Sequence, residues 1–326
     1  MSHVPQWIIG AYSASPTRFD WVPAEEDAYL QGIYAIPNIR GLEIPFTAGT
    51  LHKFDEEWFL ARIPKHLDIV VTLIPATTAA VRENAKFGIA SSDEAGRQDA
   101  LALVNDASAA VARINKALDR KAVIAVELHT APGGSDIQAL ANSLKEISTF
   151  DWQGAKIVIE HCDALIPNQK AEKGYMSLAD EIEAIKKSGQ DIGIAINWGR
   201  SAIETRSALG PVTHVSAAQT AGVLTGLMFS GASDIENRFG TAWKDCHVPP
   251  APLASTPVNG QQLLEPSSLM TGHEMGITYW ASEPESFSGY YGVKIAPLHE
   301  VTIAERIATV VQTIVVLEES IAKGRS

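Results

Sequence analysis

Only two cysteines occur in 326 residues, Cys162 and Cys246. One lies in an apolar, strand-like run and the other in a polar loop, which fits a reducing compartment better than a disulfide scaffold. A basic surplus is missing as well. The chain carries 26 Lys and Arg against 38 Asp and Glu, net -12, and this balance disfavours a broad electropositive surface for nucleic acid or anionic lipid. No segment reaches the roughly 18 uninterrupted apolar residues of a membrane span, and the opening "MSHVPQWIIGAYSASPTRF" has no charged start leading into a long apolar run. Internal repeats, coiled-coil heptads and low-complexity linkers are also lacking. "APGGSD" (131–136) and "FSGAS" (229–233) could turn backbone N–H groups toward an anion, but neither has the spacing of a Walker loop or a dinucleotide fold. "TGHEMG", with His273 and Glu274, lacks the second histidine of a zinc protease, and no serine sits in a nucleophile elbow. These absences leave a cytoplasmic protein whose partner is a small molecule, with neither nucleic acid nor membrane expected; homo-oligomerisation stays open.

What the sequence does have is a series of eight short apolar runs: "QWIIGAYSA", "IRGLEIPF", "LDIVVTLIPAT", "KAVIAVELHTAPG", "AKIVIEHCD", "DIGIAINWG", "AGVLTGLMFSGAS" and "YYGVKIAP". Near-continuous apolar strands that alternate with helical patterns indicate a parallel sheet covered on both faces, and eight such steps in one chain indicate a (β/α)8 barrel. Between two of these runs, Ala100, Leu103, Val104, Ala107, Val111 and Ile114 recur at three- and four-residue steps, which predicts a helix over 98–120 with one buried face. "SLADEIEAIKKSG" reads as a helix capped by Ser177 and ended by Gly189. The weak region is 234–289, rich in Pro, Gly and Ser and without an obvious core of its own. The expectation is therefore one barrel domain over 1–326 with an irregular insertion at 234–289 after the seventh strand, in which Trp243, Tyr279 and Trp280 act as loop anchors or substrate-facing surfaces.

In such a barrel the chemistry sits at the carboxyl ends of the strands. This selects Glu43 on the second strand, Glu127 and His129 on the fourth, Glu160, His161 and Asp163 at the fifth, Asn197 and Arg200 at the sixth, Ser230 at the seventh and Lys294 at the eighth. Strand side chains alternate faces. Glu127 and His129 should therefore share the interior face, whereas Glu160 and His161 should not both point inward. Glu160 is the choice for the pocket and His161 for a supporting or interstrand hydrogen bond. Arg200 and Glu204, four apart at a helix start, could alternatively form a rim ion pair.

"LEIPF", "VELHTAPG" and "IVIEHCD" together resemble the xylose-isomerase-like barrel superfamily, which includes sugar isomerases, ketose epimerases and metal-dependent endonucleases. The resemblance implies a second-strand inward Glu at Glu43, a fourth-strand end at His129, and a divalent-metal ligand at Glu160. The chain departs from the pattern where the superfamily has an Asp followed three residues later by His on the sixth strand; here stand Asn197 and Arg200. Ser230 stands near an expected metal-binding His on the seventh, and Lys294 near an expected Glu on the eighth. An amide and two cations weaken a divalent-metal site, so no metal ligand and no cofactor is assigned, and a divalent metal is disfavoured.

The resulting expectation is a sugar isomerase or epimerase-like enzyme acting on a small sugar or sugar acid. Glu160, Lys294, Glu127 and His129 would be catalytic, and Asn197, Arg200, Trp198, Glu43 and Ser230 would bind substrate. A glycoside hydrolase using Glu127 with Glu160, and a non-catalytic sugar-acid binding protein, are the competing readings.

Overall fold

Each of the eight apolar runs is a strand. The computed structural model describes residues 5–18, 20–250 and 289–324. The strands are β1 (Trp7–Ile9), β2 (Ile39–Pro45), β3 (Asp68–Thr72), β4 (Val123–Leu128), β5 (Lys156–His161), β6 (Gly193–Asn197), β7 (Leu224–Phe229) and β8 (Tyr290–Val293). They close in chain order into a barrel, and the observed pairings β1–β8, β2–β3, β3–β4, β4–β5 and β7–β8 are all parallel. The fold is a (β/α)8 barrel with a long loop after β7.

By density of contacts the chain falls into two compact units, one of Met1–Arg40, Ile196–Ala217 and Gly226–Ser326 and the other of Gly41–Ala195 and Ala218–Thr225. In the second of these, Glu43 pairs in register with Val70, and Glu127 with Val158. The helix expected at 98–120 runs over Glu94–Leu118. It begins four residues earlier because the Asp93 carboxylate accepts a hydrogen bond from Gly96 N, and a side chain at Gly96 would collide with the Lys86 carbonyl, 2.1 Å from an ideal Cβ. Its buried stripe includes Ala100, Val104, Ala107, Val111 and Ile114. The helix Leu178–Ser188 is capped as expected, with Ser177 Oγ accepting from Asp180 N and Gly189 closing it in the left-handed conformation at φ 67°.

In the other unit, the helices Pro23–Tyr34 and Ile303–Gly324 pack together. Gly32 allows the close approach, since a Cβ there would stand 2.2 Å from Ile307 Cδ1. The last helix starts with a capping box, in which Glu305 N donates to Thr302 Oγ1 and Thr302 N donates to Glu305 Oε2. Trp7 Nε1 donates to Glu318, tying β1 to this helix. Of the irregular stretch 234–289, residues 251–288 lie outside the described residues, and with them His273, Glu274, Tyr279 and Trp280. In the described part Trp243 N donates to Ser233 O and the Arg206 guanidinium lies 4.7 Å from the Trp243 ring centroid, so Trp243 anchors its loop. Among the described residues no helix is long and apolar enough to cross a membrane.

Candidate active site

β2, β4 and β5 bring three carboxylates to one place. Glu43, Glu127 and Glu160 are buried, and each offers an oxygen within 4.8 Å of the others. His129, one residue past β4, joins them: its Nε2 lies 2.8 Å from Glu160 Oε2, with both side chains fully buried. Period two explains the set. Glu127 and His129 share a strand face, and Glu160 comes from the neighbouring strand β5, one residue beyond the Leu128–Ile159 register pair.

The adjacent His161 points the other way. Its Nδ1 meets Glu181 Oε2 at 2.8 Å on the helix Leu178–Ser188, and Thr130 Oγ1 donates to Glu181 Oε1 at 2.6 Å. This buried trio ties the ends of β4 and β5 to that helix. Sequence reading missed Glu181 because glutamate on an amphipathic helix is normally solvated. Its position three residues after Leu178 and three before Ala184, inside the buried stripe, was the available signal. Asp163 accepts from the backbone N–H groups of Glu172, Lys173 and Gly174, so it organises the loop after β5.

The remaining candidates belong to the other unit. Asn197, the last residue of β6, caps the helix Trp198–Thr205: its Oδ1 accepts from Arg200 N at 3.3 Å and from Ser230 Oγ at 2.8 Å. Ser230 Oγ in turn accepts from Gly199 N at 3.3 Å, and a Cβ on Gly199 would stand only 2.6 Å from that oxygen. Trp198 is 1% exposed and its ring packs on Phe229 with centroids 5.1 Å apart. Arg200 Nε donates to Asp245 Oδ2 at 3.2 Å, with both side chains buried, and Asp245 Oδ1 lies 3.4 Å from His247 Nδ1. Glu204, the alternative partner expected for Arg200, faces His214 Nε2 at 3.5 Å. Lys294 is fully buried just past β8, its ammonium 5.1 Å from the Tyr12 ring centroid. Asp245 was not singled out in the sequence because it sits in a loop without periodicity.

Residues 8–309 match a family described as a domain of unknown function, DUF4862. The chain belongs to that family. It is 36% identical over 299 residues to the uncharacterized protein STM3670 of Salmonella typhimurium strain LT2, covering 90% of each chain. Among solved structures, it is similar to a candidate sugar phosphate isomerase/epimerase of Anabaena variabilis (TM-score 0.58, 14% identity, 99% and 100% of the two chains). It is also similar to the D-psicose 3-epimerase of Clostridium cellulolyticum (TM-score 0.52, 13% identity, 98% of each chain). A xylose isomerase domain protein of Alicyclobacillus acidocaldarius gives a TM-score of 0.51 at 13% identity over 99% of each chain. The DUF4862 chain therefore shares the barrel fold of these structures.

Three clustered carboxylates need compensation, by a cation or by protons held between them. Hard carboxylate oxygens at this spacing fit a cation of the magnesium or manganese type, which would be held by Glu43, Glu127 and Glu160. Of these, only Glu160 stands at a position where the sequence resemblance implies a ligand, so the cluster is a partial ligand set and a divalent metal stays possible but disfavoured.

Proposed function

We propose that this DUF4862 protein is an isomerase or epimerase-like enzyme that acts on a small sugar or sugar acid by side-chain acid/base chemistry. The observation that carries the reading is the 2.8 Å contact between His129 and Glu160 beside Glu43 and Glu127. A carboxylate bonded to an imidazole is suited to take a proton from carbon next to a carbonyl, and the same pair can return it. Return to the neighbouring carbon, with the hydroxyl proton passing to the former carbonyl oxygen, gives isomerisation, and delivery of a proton to the opposite face by a second acid gives epimerisation; neither needs an external oxidant or reductant. A divalent ion held by the three glutamates would add polarisation of adjacent substrate oxygens.

Lys294 and Arg200 are proposed as cations for an oxyanion or an anionic substrate group, and Asn197, Ser230, Trp198 and Glu43 as substrate-binding positions, on the ground that strand exits of such barrels carry function. Glu127 and Glu160 each offer an oxygen within 4.8 Å of the other, short of the roughly 6.5–9.5 Å carboxyl separation of inverting glycosidases, so a hydrolase built on this pair would be of the retaining kind. Incubation with acidic, phosphorylated and neutral sugars, followed by NMR, tests the proposal. Conversion of one sugar into an isomer or epimer is expected. Release of free sugar from a glycoside would instead establish the hydrolase, and saturable binding with no conversion of any panel member would establish the non-catalytic binding protein.

A further inference from the structure

The two residues that meet in the candidate site are each followed by a residue that Glu181 holds. His129 precedes Thr130, whose Oγ1 donates to Glu181 Oε1 at 2.6 Å, and Glu160 precedes His161, whose Nδ1 lies 2.8 Å from Glu181 Oε2. One carboxylate thus joins the two chain ends, with one oxygen on each. Thr130 and His161 face the helix Leu178–Ser188, while His129 and Glu160 face each other.

The register pairs of β4 and β5 end at Leu128–Ile159, so His129 and Glu160 stand one residue past the last of them. Chain ends beyond a ladder splay unless something else joins them. Glu181 is a firm support for that purpose. It stands in the first turn of a helix capped at both ends, by Ser177 and by Gly189, and Thr130, His161 and Glu181 are each at most 1% exposed. Stability alone does not call for a carboxylate here, because an apolar residue in place of a buried, paired charge is often neutral or better. What an acceptor with two oxygens adds is geometry: reacting groups have to be held within about 0.5 Å by side chains whose own positions are locked.

We propose that Glu181 is a positioning residue: by holding Thr130 and His161 on its two oxygens, it sets the 2.8 Å separation of His129 and Glu160. Its consequence for turnover rests on the acid/base reading of that pair, whereas its consequence for the separation does not.

The test is Thr130→Val, which removes the hydroxyl and keeps the branched shape, beside Thr130→Ser, which restores the donor. Crystal structures of the full chain, wild type and both variants, are compared. In Thr130→Val the separation of His129 Nε2 and Glu160 Oε2 should exceed the roughly 3.2 Å of a good hydrogen bond, and in Thr130→Ser it should keep the wild-type value. On a sugar that the wild type converts, kcat of Thr130→Val should fall by about 10–10²-fold with KM held, and Thr130→Ser should recover it. A Thr130→Val structure with the contact intact, loss of the contact in both variants, or unchanged kcat where the contact has lengthened overturns the proposal. If Thr130→Val does not fold, Thr130→Ala removes the same hydroxyl without setting a methyl against Glu181 and is judged in the same way. A wild type that converts no sugar would sink the acid/base reading and leave the measured separations to decide on Glu181.

Discussion

His129 Nε2 and Glu160 Oε2 lie 2.8 Å apart, on neighbouring strands and out of reach of solvent. Neither residue is paired there by local sequence, since 31 positions separate them. The contact exists because β4 and β5 run parallel in register, with Leu128 beside Ile159. A carboxylate and an imidazole at this distance are placed to share one proton. With Glu43 and Glu127 alongside, the charge state of the cluster depends on where that proton resides.

Glu160→Gln keeps the shape and removes the base. Turnover is expected to fall by about 10²–10⁴-fold, whereas the urea midpoint should move little, because removing one carboxylate from three relieves repulsion. A variant that retains most of its turnover would remove Glu160 from the chemistry.

The trio of Thr130, His161 and Glu181 also bears on stability. Glu181→Ala leaves a buried imidazole and a buried hydroxyl without their acceptor, and should cost about 3–5 kcal/mol in equilibrium urea unfolding. Stability within about 0.5 kcal/mol of wild type would show that the trio carries no such load.

Glu56 supplies a pH dependence. Burial raises its pKa, but hydrogen bonds from Arg113, Leu51 N and Thr50 outweigh burial and set the net shift downward. A carboxylate whose folded pKa lies below its unfolded one stabilises the protein above the unfolded carboxylate range. That contribution fades as pH falls through the folded value. Arg113 is 40% exposed, so solvent screening trims the effect to about 1 kcal/mol. Glu56→Gln should therefore be less stable than wild type near neutrality and should converge with it in acid, measured by urea unfolding across pH. A constant difference at all pH values would remove the ionised carboxylate as the cause.

Much of the barrel could be read from the chain, because buried parallel strands need apolar residues on both faces and so announce themselves as runs such as "KIVIEH". The opposite facing of Glu160 and His161 followed from period two alone. The interactions that escaped are those that depend on which distant segment arrives. Glu181 looked like a helix-surface residue until the ends of β4 and β5 met it, and Asp245 had no pattern that pointed to Arg200. Asn197 carried a local signal that was passed over, since Asn directly before a helical segment is a common cap. Its oxygen is engaged by Arg200 N and Ser230.

Side-chain acid/base chemistry also makes a claim about metal. Purified protein is expected to hold less than one equivalent of Mn, Mg, Co or Zn and to keep its activity in chelator. Elemental analysis giving one tightly held ion per chain, lost together with activity in Glu43→Gln, would assign the three glutamates to a metal centre.

The proton-transfer role of Glu160 is open to a direct measurement: NMR of a converted sugar in deuterated water, with wild type and Glu160→Gln side by side. Deuterium should enter at the carbon next to the carbonyl with wild type, and this exchange should fall by at least about 10²-fold in the variant. Undiminished incorporation and conversion by Glu160→Gln would contradict proton transfer by this residue.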